Sequence, residues 1–342
     1  MSTTIRKALI PTFGDASVVK IVDAEIEAPK SKEVQVKILY SGMGGADITM
    51  RMGKYPQQKS APLTPGYCLV GRVLVNGPSS TKFQQGALVA SMTKYDSVAE
   101  RANVAEKYLV LVPEGLDLEQ ATAMVLDWNT AYGMCYRCAK VKKGSRVFIH
   151  GLSGAVGFAI FTFCKLQGAE IYGTASQSKH AELRELGANP FVYTDKNWMM
   201  AMNAIGGAHI VFDPLGFESW DESWSILAPK SEGGGHLIGY GGNYHVLKGE
   251  EPRSQIPGIA KLLARNAVPF CPNHTSFYYI DKDQATFEPE LKELFQMCER
   301  GEIKAPIKKR WTLETYPEAH RTWNQSNALG SVVVKIADDA GT

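Results

Sequence analysis

Residues Val147 to Gly157, Val-Phe-Ile-His-Gly-Leu-Ser-Gly-Ala-Val-Gly, restrict the fold of this chain more than any other stretch. Three apolar residues run towards Gly151, Gly154 and Gly157, and a further apolar run reaches Leu166 before Gly168 closes it. The pattern predicts a strand, a tight turn and a helix. Gly151 permits the turn, Gly154 lets backbone amides approach a pyrophosphate at the positive end of the helix, and Gly157 allows close helix–sheet packing. The spacing is G-x-x-G-x-x-G rather than G-x-G-x-x-G, so the strand–turn–helix context is what gives the motif meaning. A serine-hydrolase elbow is one residue away from a match. Ala155 stands where G-x-S-x-G needs its last glycine, which leaves Ser153 as a phosphate contact or a turn hydroxyl. The segment from Val147 to Leu166 is nearly uncharged, but its glycines, His150 and Ser153 fit a buried strand and helix better than a membrane span.

The alternation continues around this unit. Val147–His150, Glu170–Gly173, His209–Asp213 and His236–Tyr240 read as strands. Gly154–Leu166, Lys179–Leu186 (with Gly187 at its C-terminal stop) and Ser219–Leu227 read as helices. Strands alternating with helices over about 120 residues predict an α/β domain, a doubly wound parallel sheet covered on both faces. The first 120 residues differ. Ile5–Ile10, Glu33–Leu39, Cys68–Val75 and Leu88–Met92 are short Val- and Ile-rich runs between Gly and Pro turns, the pattern of a compact β-barrel. Asp117-Leu-Glu-Gln120 forms a capping box, Gln120 reaching back to the cap, and opens a helical stretch through Cys138. A later helix has Pro289 in its first turn, an apolar stripe of Leu291, Leu294, Phe295 and Cys298, and Gly301 as its stop. The last strand, Ser331–Ile336, has nothing local to pair with and is expected to return to the N-terminal barrel, making that domain discontinuous. The expected boundaries are 1–123 with 274–342 for the barrel domain and 124–273 for the parallel-sheet domain.

Composition removes several classes of function. With 37 Lys+Arg against 35 Asp+Glu, the chain has neither the basic excess nor the basic block of a nucleic-acid binder. Its 44% hydrophobic and 21% charged residues are those of an ordinary globular protein, and six cysteines are intracellular usage. Neither chain end carries a secretory, prenylation or retention signal, so a cytoplasmic protein is expected.

The ribose end of a dinucleotide site can be read beyond the second strand. An NAD enzyme places Asp or Glu there, about 20 residues past the glycines. This chain reads Ile171-Tyr-Gly-Thr-Ala-Ser-Gln-Ser-Lys-His180, with no acid before Glu182 and with Ser176, Lys179 and His180 available. A carboxylate would repel a 2′-phosphate, whereas hydroxyls and a lysine would pair with it, so NADPH is the expected cofactor.

The motifs then converge on a known family. Ser41-Gly-Met-Gly-Gly-Ala46-Asp47, Met50-Arg51-Met-Gly53-Lys-Tyr55-Pro56, Pro65-Gly66-Tyr67, Thr130-Ala131-Tyr132, the Gly151–Gly157 turn, Gly173-Thr174-Ala175-Ser176, Phe212-Asp213-Pro214-Leu215-Gly216 and Glu318-Ala319-His320-Arg321 occur in order along nearly the whole chain. In these the chain resembles the zinc-free medium-chain dehydrogenase/reductases, the quinone oxidoreductase and enoyl reductase branch. The resemblance implies a Rossmann domain plus a discontinuous GroES-like β-barrel domain, with the active site between them. It implies that Gly151, Ser153, Gly154, Ala155, Val156 and Thr174 belong to the cofactor site, and that Ser176, Lys179 and Tyr193 surround the 2′-phosphate. Thr130 would lie near the nicotinamide ribose, and Leu215 and Gly241 in the loops lining the nicotinamide. It also implies a homodimer joined through the edges of the Rossmann sheets.

Zinc-dependent relatives hold their metal with Cys, His and Cys; the matching positions here are Gly44, Tyr67 and Leu126, so no metal is expected. Cys135-x-x-Cys138 lies in a helical stretch without a second pair and reads as two ordinary thiols. Quinone reductases of the branch carry an Asn and a Tyr near the nicotinamide, where this chain has Gly44 and Thr49. Without a metal, hydride addition to a conjugated C=C of an enone, or to a quinone, is the favoured chemistry, because the charge delocalises onto an oxygen that one or two donors can hold. The candidate donors are Tyr67, Thr49 and Tyr240. Asp47 reads as a structural acceptor, Cys68 as a buried thiol, His150 as structural and His245 as a loop residue. The alternative is a member of the fold without redox activity, a cyclase or isomerase or an NADPH-binding regulatory protein.

Overall fold

A computed structural model describes residues 2–339 apart from 243, 252 and 324. In chain order the first strands are β1 (Thr3–Leu9), β2 (Lys20–Ile26), β3 (Glu33–Met43), β4 (Cys68–Asn76), β5 (Leu88–Met92), β6 (Arg101–Ala105) and β7 (Val110–Leu111). Then follow β8 (Arg146–Ile149), β9 (Glu170–Ala175), β10 (Asn189–Val192), β11 (Ile210–Asp213), β12 (His236–Gly239) and β13 (His274–Phe277). The chain ends with β14 (Ile307–Thr312) and β15 (Ser331–Lys335). Two compact units result: Met1–Asn129 with Asp281–Ser326 and Ser331–Thr342, and Thr130–Ile280 with Asn327–Gly330.

In the first unit β3 is the organising strand. It pairs antiparallel with β4 along one edge, and with β6 and then β15 along the other. Register shifts at Gln35/Val36 and Ile38/Tyr40 mark bulges, which bend a strand and let a single sheet curl around a core. Val34, Val36, Ile38 and Leu39 of β3 and Leu69, Val70 and Val73 of β4 are completely buried. The apolar C-terminal strand β15 does leave its sequence neighbourhood, setting Val332–Lys335 antiparallel against Tyr40–Met43 and pairing parallel with β14. The first unit is therefore built from both ends of the chain.

The second unit is a six-stranded parallel sheet in the order β10-β9-β8-β11-β12-β13. Renumbered within the unit this is 3-2-1-4-5-6, the doubly wound order in which the chain reverses direction at the first strand. Its central strands are apolar along their length because helices cover both faces. Val147, Phe148, Ile149, Val211, Phe212, Leu237 and Ile238 are all buried. Phe148, Trp198, Met202, Val211, Trp220 and Ile226 form one core cluster of this unit. The helix after β8, Ala155–Leu166, is apolar nearly all round, so it is a buried helix. Among the described residues, no helix is long and apolar enough to cross a membrane.

Several local expectations change in the structure. His274–Phe277, placed by sequence in the barrel domain, pairs parallel with β12 and closes the parallel sheet. Asp117 accepts hydrogen bonds from Glu119 N and Gln120 N as a cap should, but the Gln120 side chain does not reach back. It spans to Ala305 instead, its Nε2 donating to the carbonyl at 2.8 Å and its Oε1 accepting from the amide at 2.7 Å. The helical stretch to Cys138 is interrupted by two π-helical turns, Met124–Trp128 and Gly133–Cys138. His245 lies in a short helix, Tyr244–Lys248, rather than in a loop. It is buried and bonded to Glu250 and Arg253.

Candidate functional site

The C-terminal end of β8 sits where the chain direction reverses, with β9 on one side and β11 on the other, the position at which open α/β sheets leave a ligand crevice. Gly151 takes φ +67°, which a side-chain-bearing residue rarely adopts, and a Cβ there would meet nothing within 4 Å. Gly154 caps Ala155–Leu166 with extended backbone, and among the described residues no side-chain cap bond reaches the first amides. Those N–H groups are available to an anion at the positive end of the helix. Gly157 is pressed against the turn, and a Cβ on it would stand 2.2 Å from the Gly151 carbonyl oxygen. The three glycines thus occupy the turn, the approach and the packing positions.

A buried chain of hydrogen bonds fixes this turn. Gly151 N donates to Thr174 Oγ1 at 3.3 Å, and Thr174 Oγ1 lies 3.2 Å from His150 Nδ1. His150 Nε2 lies 3.0 Å from Ser223 Oγ, which donates to Asp213 Oδ2 at 2.7 Å. Asp213 Oδ2 also accepts from Ser219 Oγ at 2.7 Å, and Oδ1 accepts from Leu215 N at the same distance. With the Ser223 proton committed to the carboxylate, His150 must carry its proton on Nε2 and accept at Nδ1. Burial lowers the His150 pKa, which agrees with a neutral ring. His150 is structural, as expected, and Thr174 supports the turn through the Gly151 amide. Sequence spacing shows nothing of this network, because its members come from four separate segments.

At the ribose end, Lys179 is half-buried and its Nζ donates to Ser153 Oγ at 3.4 Å. Burial lowers its pKa and outweighs the pull of exposed Glu182. Ser176 follows β9, and the parallel register sets Val192 beside Ala175, so that Tyr193 leaves the neighbouring strand end next to it. Tyr193 is exposed. His180 departs from expectation: it is buried, with Nε2 3.2 Å from the Ala175 carbonyl, and so is not available to a phosphate. Beyond β11 and β12 the two loops interlock. Tyr244 N donates to the Leu215 carbonyl, and a Cβ on Gly241 would lie 2.7 Å from Pro214 O. Leu215 and Gly241 are therefore brought together, with Tyr240 beside them, its amide donating to Asp213 O and its hydroxyl pKa raised by burial. Thr130 is buried in the helix Asn129–Tyr132. An uncapped helix start, a glycine cradle and the half-buried Lys179 ammonium beside Ser153 make a pocket whose chemistry suits a phosphate group.

In the first unit, Tyr67 is buried with its hydroxyl 2.6 Å from that of half-buried Tyr55, the rings edge-on at 5.9 Å. Thr49 is also buried, and its hydroxyl donates to the Gly45 carbonyl at 3.0 Å, so its proton is engaged within its own helix. Asp47 Oδ2 accepts from Gly44 N at 2.9 Å, and among the described residues no hydrogen-bond partner is found for the buried Oδ1. Cys68 is buried and its thiol pKa is raised. Cys135 lies 4.0 Å from Cys164 across two buried thiols, so the C-x-x-C pair itself does not close on Cys138. Among the described residues, no three His, Cys, Asp or Glu side chains are grouped to hold a metal ion.

Buried ionisable groups give a pH signature. Burial raises Asp47 from 3.8 to about 7 and Asp127 from 3.8 to about 6. Stability from these groups is full below pH ~4 and is lost as pH rises through their folded values. Burial lowers His320 from 6.5 to about 3 and His236 from 6.5 to about 4, so their contribution is full above pH ~6.5 and is lost on acidification. The Asp47→Asn variant keeps an acceptor for Gly44 N and removes one of the alkaline losses. Its melting temperature should match wild type near pH 4 and exceed it increasingly towards pH 8; a difference independent of pH would show that Asp47 does not titrate in this range.

Two domain families match the chain: the alcohol dehydrogenase GroES-like domain over residues 30–114 and the zinc-binding dehydrogenase over residues 186–334. Quinone oxidoreductase of Homo sapiens is 32% identical over 341 residues, covering 97% of this chain and 98% of its own. The synaptic vesicle membrane protein VAT-1 homolog of Danio rerio is 27% identical over 347 residues, 97% of this chain and 70% of its own. Among solved structures, the JamJ enoyl reductase in its apo form matches with a TM-score of 0.83 at 23% identity, over 98% of this chain and all of its own. A mycobacterial protein complexed with NADPH matches with a TM-score of 0.81 at 22% identity, over 96% and 99%. The chain belongs to the medium-chain dehydrogenase/reductase family, in its quinone oxidoreductase and enoyl reductase branch. It is an oxidoreductase of that family.

Proposed function

We propose that this chain is an NADPH-dependent reductase that works without zinc and transfers hydride to the conjugated C=C of an α,β-unsaturated carbonyl or to a quinone. The observation that carries the cofactor choice is Lys179, a half-buried cation beside Ser153 at the mouth of an uncapped helix, with no carboxylate at the tip of β9. The Ala155 and Val156 amides would receive the pyrophosphate, and Lys179 with Ser176 and Tyr193 the 2′-phosphate. Leu215, Gly241 and Thr130 would border the nicotinamide. Once bound, the reduced nicotinamide supplies the hydride.

The donor set supports the substrate class. Gly44 and Leu126 have no metal-binding atoms, and the Tyr67 hydroxyl is held by Tyr55, so a carbonyl would be polarised by hydrogen bonds. An enone or quinone needs no more, because its charge spreads onto an oxygen that one or two donors can hold. Tyr67 and Tyr240 are the candidates for that contact; the Thr49 hydroxyl is committed to Gly45. Fluorescence titration should give NADPH the tighter binding over NADH, and absorbance should show NADPH oxidised by at least one member of a panel of quinones and enones. Equal affinities would overturn the NADPH assignment. Tight NADPH binding with no oxidation on any panel member would favour the non-redox alternative.

A further inference from the structure

Asp213 ends β11 within the second unit and is completely buried. Its carboxylate accepts from four donors. Oδ1 takes the amides of Leu215 and Gly216 at 2.7 and 3.4 Å, and Oδ2 takes the hydroxyls of Ser219 and Ser223 at 2.7 Å each. Four donors fill the lone-pair sites of a carboxylate. The Asp213 carbonyl accepts as well, from Tyr240 N at 3.2 Å and Trp220 Nε1 at 3.4 Å. The loops after β11 and β12 therefore hang from one residue. The backbone that follows it is unusual, with Gly216 at φ +79° and Phe217 at φ +55°. A bulky residue rarely takes that region, and such conformations persist where surrounding contacts fix them, often at ligand sites.

The Oδ2 bonds lead away from this loop, and every proton between Gly151 and Asp213 points the same way. Gly151 N donates to Thr174 Oγ1, Thr174 Oγ1 to His150 Nδ1, His150 Nε2 to Ser223 Oγ, and Ser223 Oγ to Asp213. The carboxylate end dictates this direction, because a carboxylate accepts only and each hydroxyl passes on one proton. Aligned bonds in a buried site polarise one another. The members lie on β9, at the end of β8, on the helix Glu218–Ser225 and on β11, so the chain crosses the point where the sheet reverses.

Resting on the dinucleotide site proposed above, we propose that Asp213 is the positioning residue shared by both ends of that site. Oδ1 sets the Leu215–Gly216 loop at the nicotinamide end. Oδ2, through Ser223, His150 and Thr174, sets the Gly151 turn at the pyrophosphate end. The same charge selects the His150 tautomer, and Asp213→Asn exposes that selection. The Leu215 and Gly216 amides cannot accept, so the carboxamide keeps its oxygen towards them and turns its NH₂ towards the serines. Ser223 then accepts from the NH₂ and donates to His150 Nε2, and the imidazole proton moves to Nδ1. A residue that only fills space would leave the tautomer unchanged.

The experiment reads the His150 tautomer by imidazole nitrogen NMR on the full chain without cofactor, and ligand binding by fluorescence titration. Wild type should show the Nε2–H form and Asp213→Asn the Nδ1–H form. Asp213→Asn should bind NADPH about ten-fold more weakly, with lower anisotropy of the bound nicotinamide emission because the loop no longer holds the ring. Its affinity for 2′-AMP should stay within about two-fold of wild type, since Lys179 bonds Ser153 and lies outside the network. Ser223→Ala keeps both Oδ1 bonds and cuts the link to His150. It should bind 2′-phospho-ADP-ribose about three-fold more weakly while keeping wild-type anisotropy of bound NADPH, and Ser223→Thr, which restores the hydroxyl, should recover the loss. An unmoved tautomer in Asp213→Asn, or NADPH binding equal to wild type, overturns this role and leaves the reductase function standing. If Asp213→Asn does not fold, wild-type binding of 2′-phospho-ADP-ribose by Ser223→Ala overturns it equally. A wild type that binds neither NADPH nor 2′-AMP overturns the dinucleotide site and this role with it.

Discussion

Replacing Lys179 with alanine is expected to weaken NADPH binding about thirty-fold and NADH binding by less than about two-fold, since hydrogen bonds to a charged group contribute ~2 kcal/mol. The asymmetry arises because the ammonium has no assigned task towards the unphosphorylated ribose. Without the lysine, Ser153 loses its Nζ partner, but the glycine turn keeps its support from Thr174 and the His150 network. The melting temperature should therefore move little while the cofactor preference collapses. Lys179→Glu should go further and favour NADH, by placing a carboxylate where NAD enzymes have theirs. Parallel titrations with the two cofactors decide it. A uniform loss for both would place Lys179 against the pyrophosphate instead of the 2′-phosphate.

The second large effect is expected at Gly157. A methyl group added there meets the Gly151 carbonyl oxygen at 2.2 Å and the Gly151 carbonyl carbon at 2.9 Å. Both are backbone atoms of the turn, so relief requires moving the turn or the helix. Overpacking of this kind costs about 1–3 kcal/mol, and here the strain falls on the cofactor cradle itself. Gly157→Ala should lower the melting temperature by several degrees and remove most NADPH binding. Gly154→Ala is the contrasting variant, because its added carbon meets the same oxygen at 3.3 Å, which a small adjustment relieves. It should fold nearly as well as wild type yet bind NADPH less tightly by crowding the first helix amides. Equal stability losses at the two positions would mean that helix–turn packing is not what Gly157 serves.

The two variants mark a division that runs through the whole molecule. Where local backbone chemistry decides, the sequence was a sound guide. Gly151, Gly154 and Gly157 occupy the expected positions in the turn, Gly187 and Gly301 end their helices at positive φ, and the apolar run at Ser331 becomes a sheet strand against β3. Side-chain partners were a different matter. Gln120 was expected to close a capping box and instead bonds Ala305, 185 residues away. His180, which the sequence left available at the ribose end, is buried and held by Ala175. Thr49, a candidate donor, gives its proton to Gly45.

The sequence by itself determined the strand–turn–helix at Gly151–Gly157, the doubly wound alternation and the missing carboxylate beyond β9. Each depends on backbone conformation, apolar period or residue type, which neighbours along the chain set. Only the tertiary structure decided that β13 completes the parallel sheet, that His150 links Thr174 to Ser223, and that Ser331 holds Asp127 across 204 residues. A polar side chain bonds whatever group folding brings within about 3 Å, and chain order does not encode that meeting.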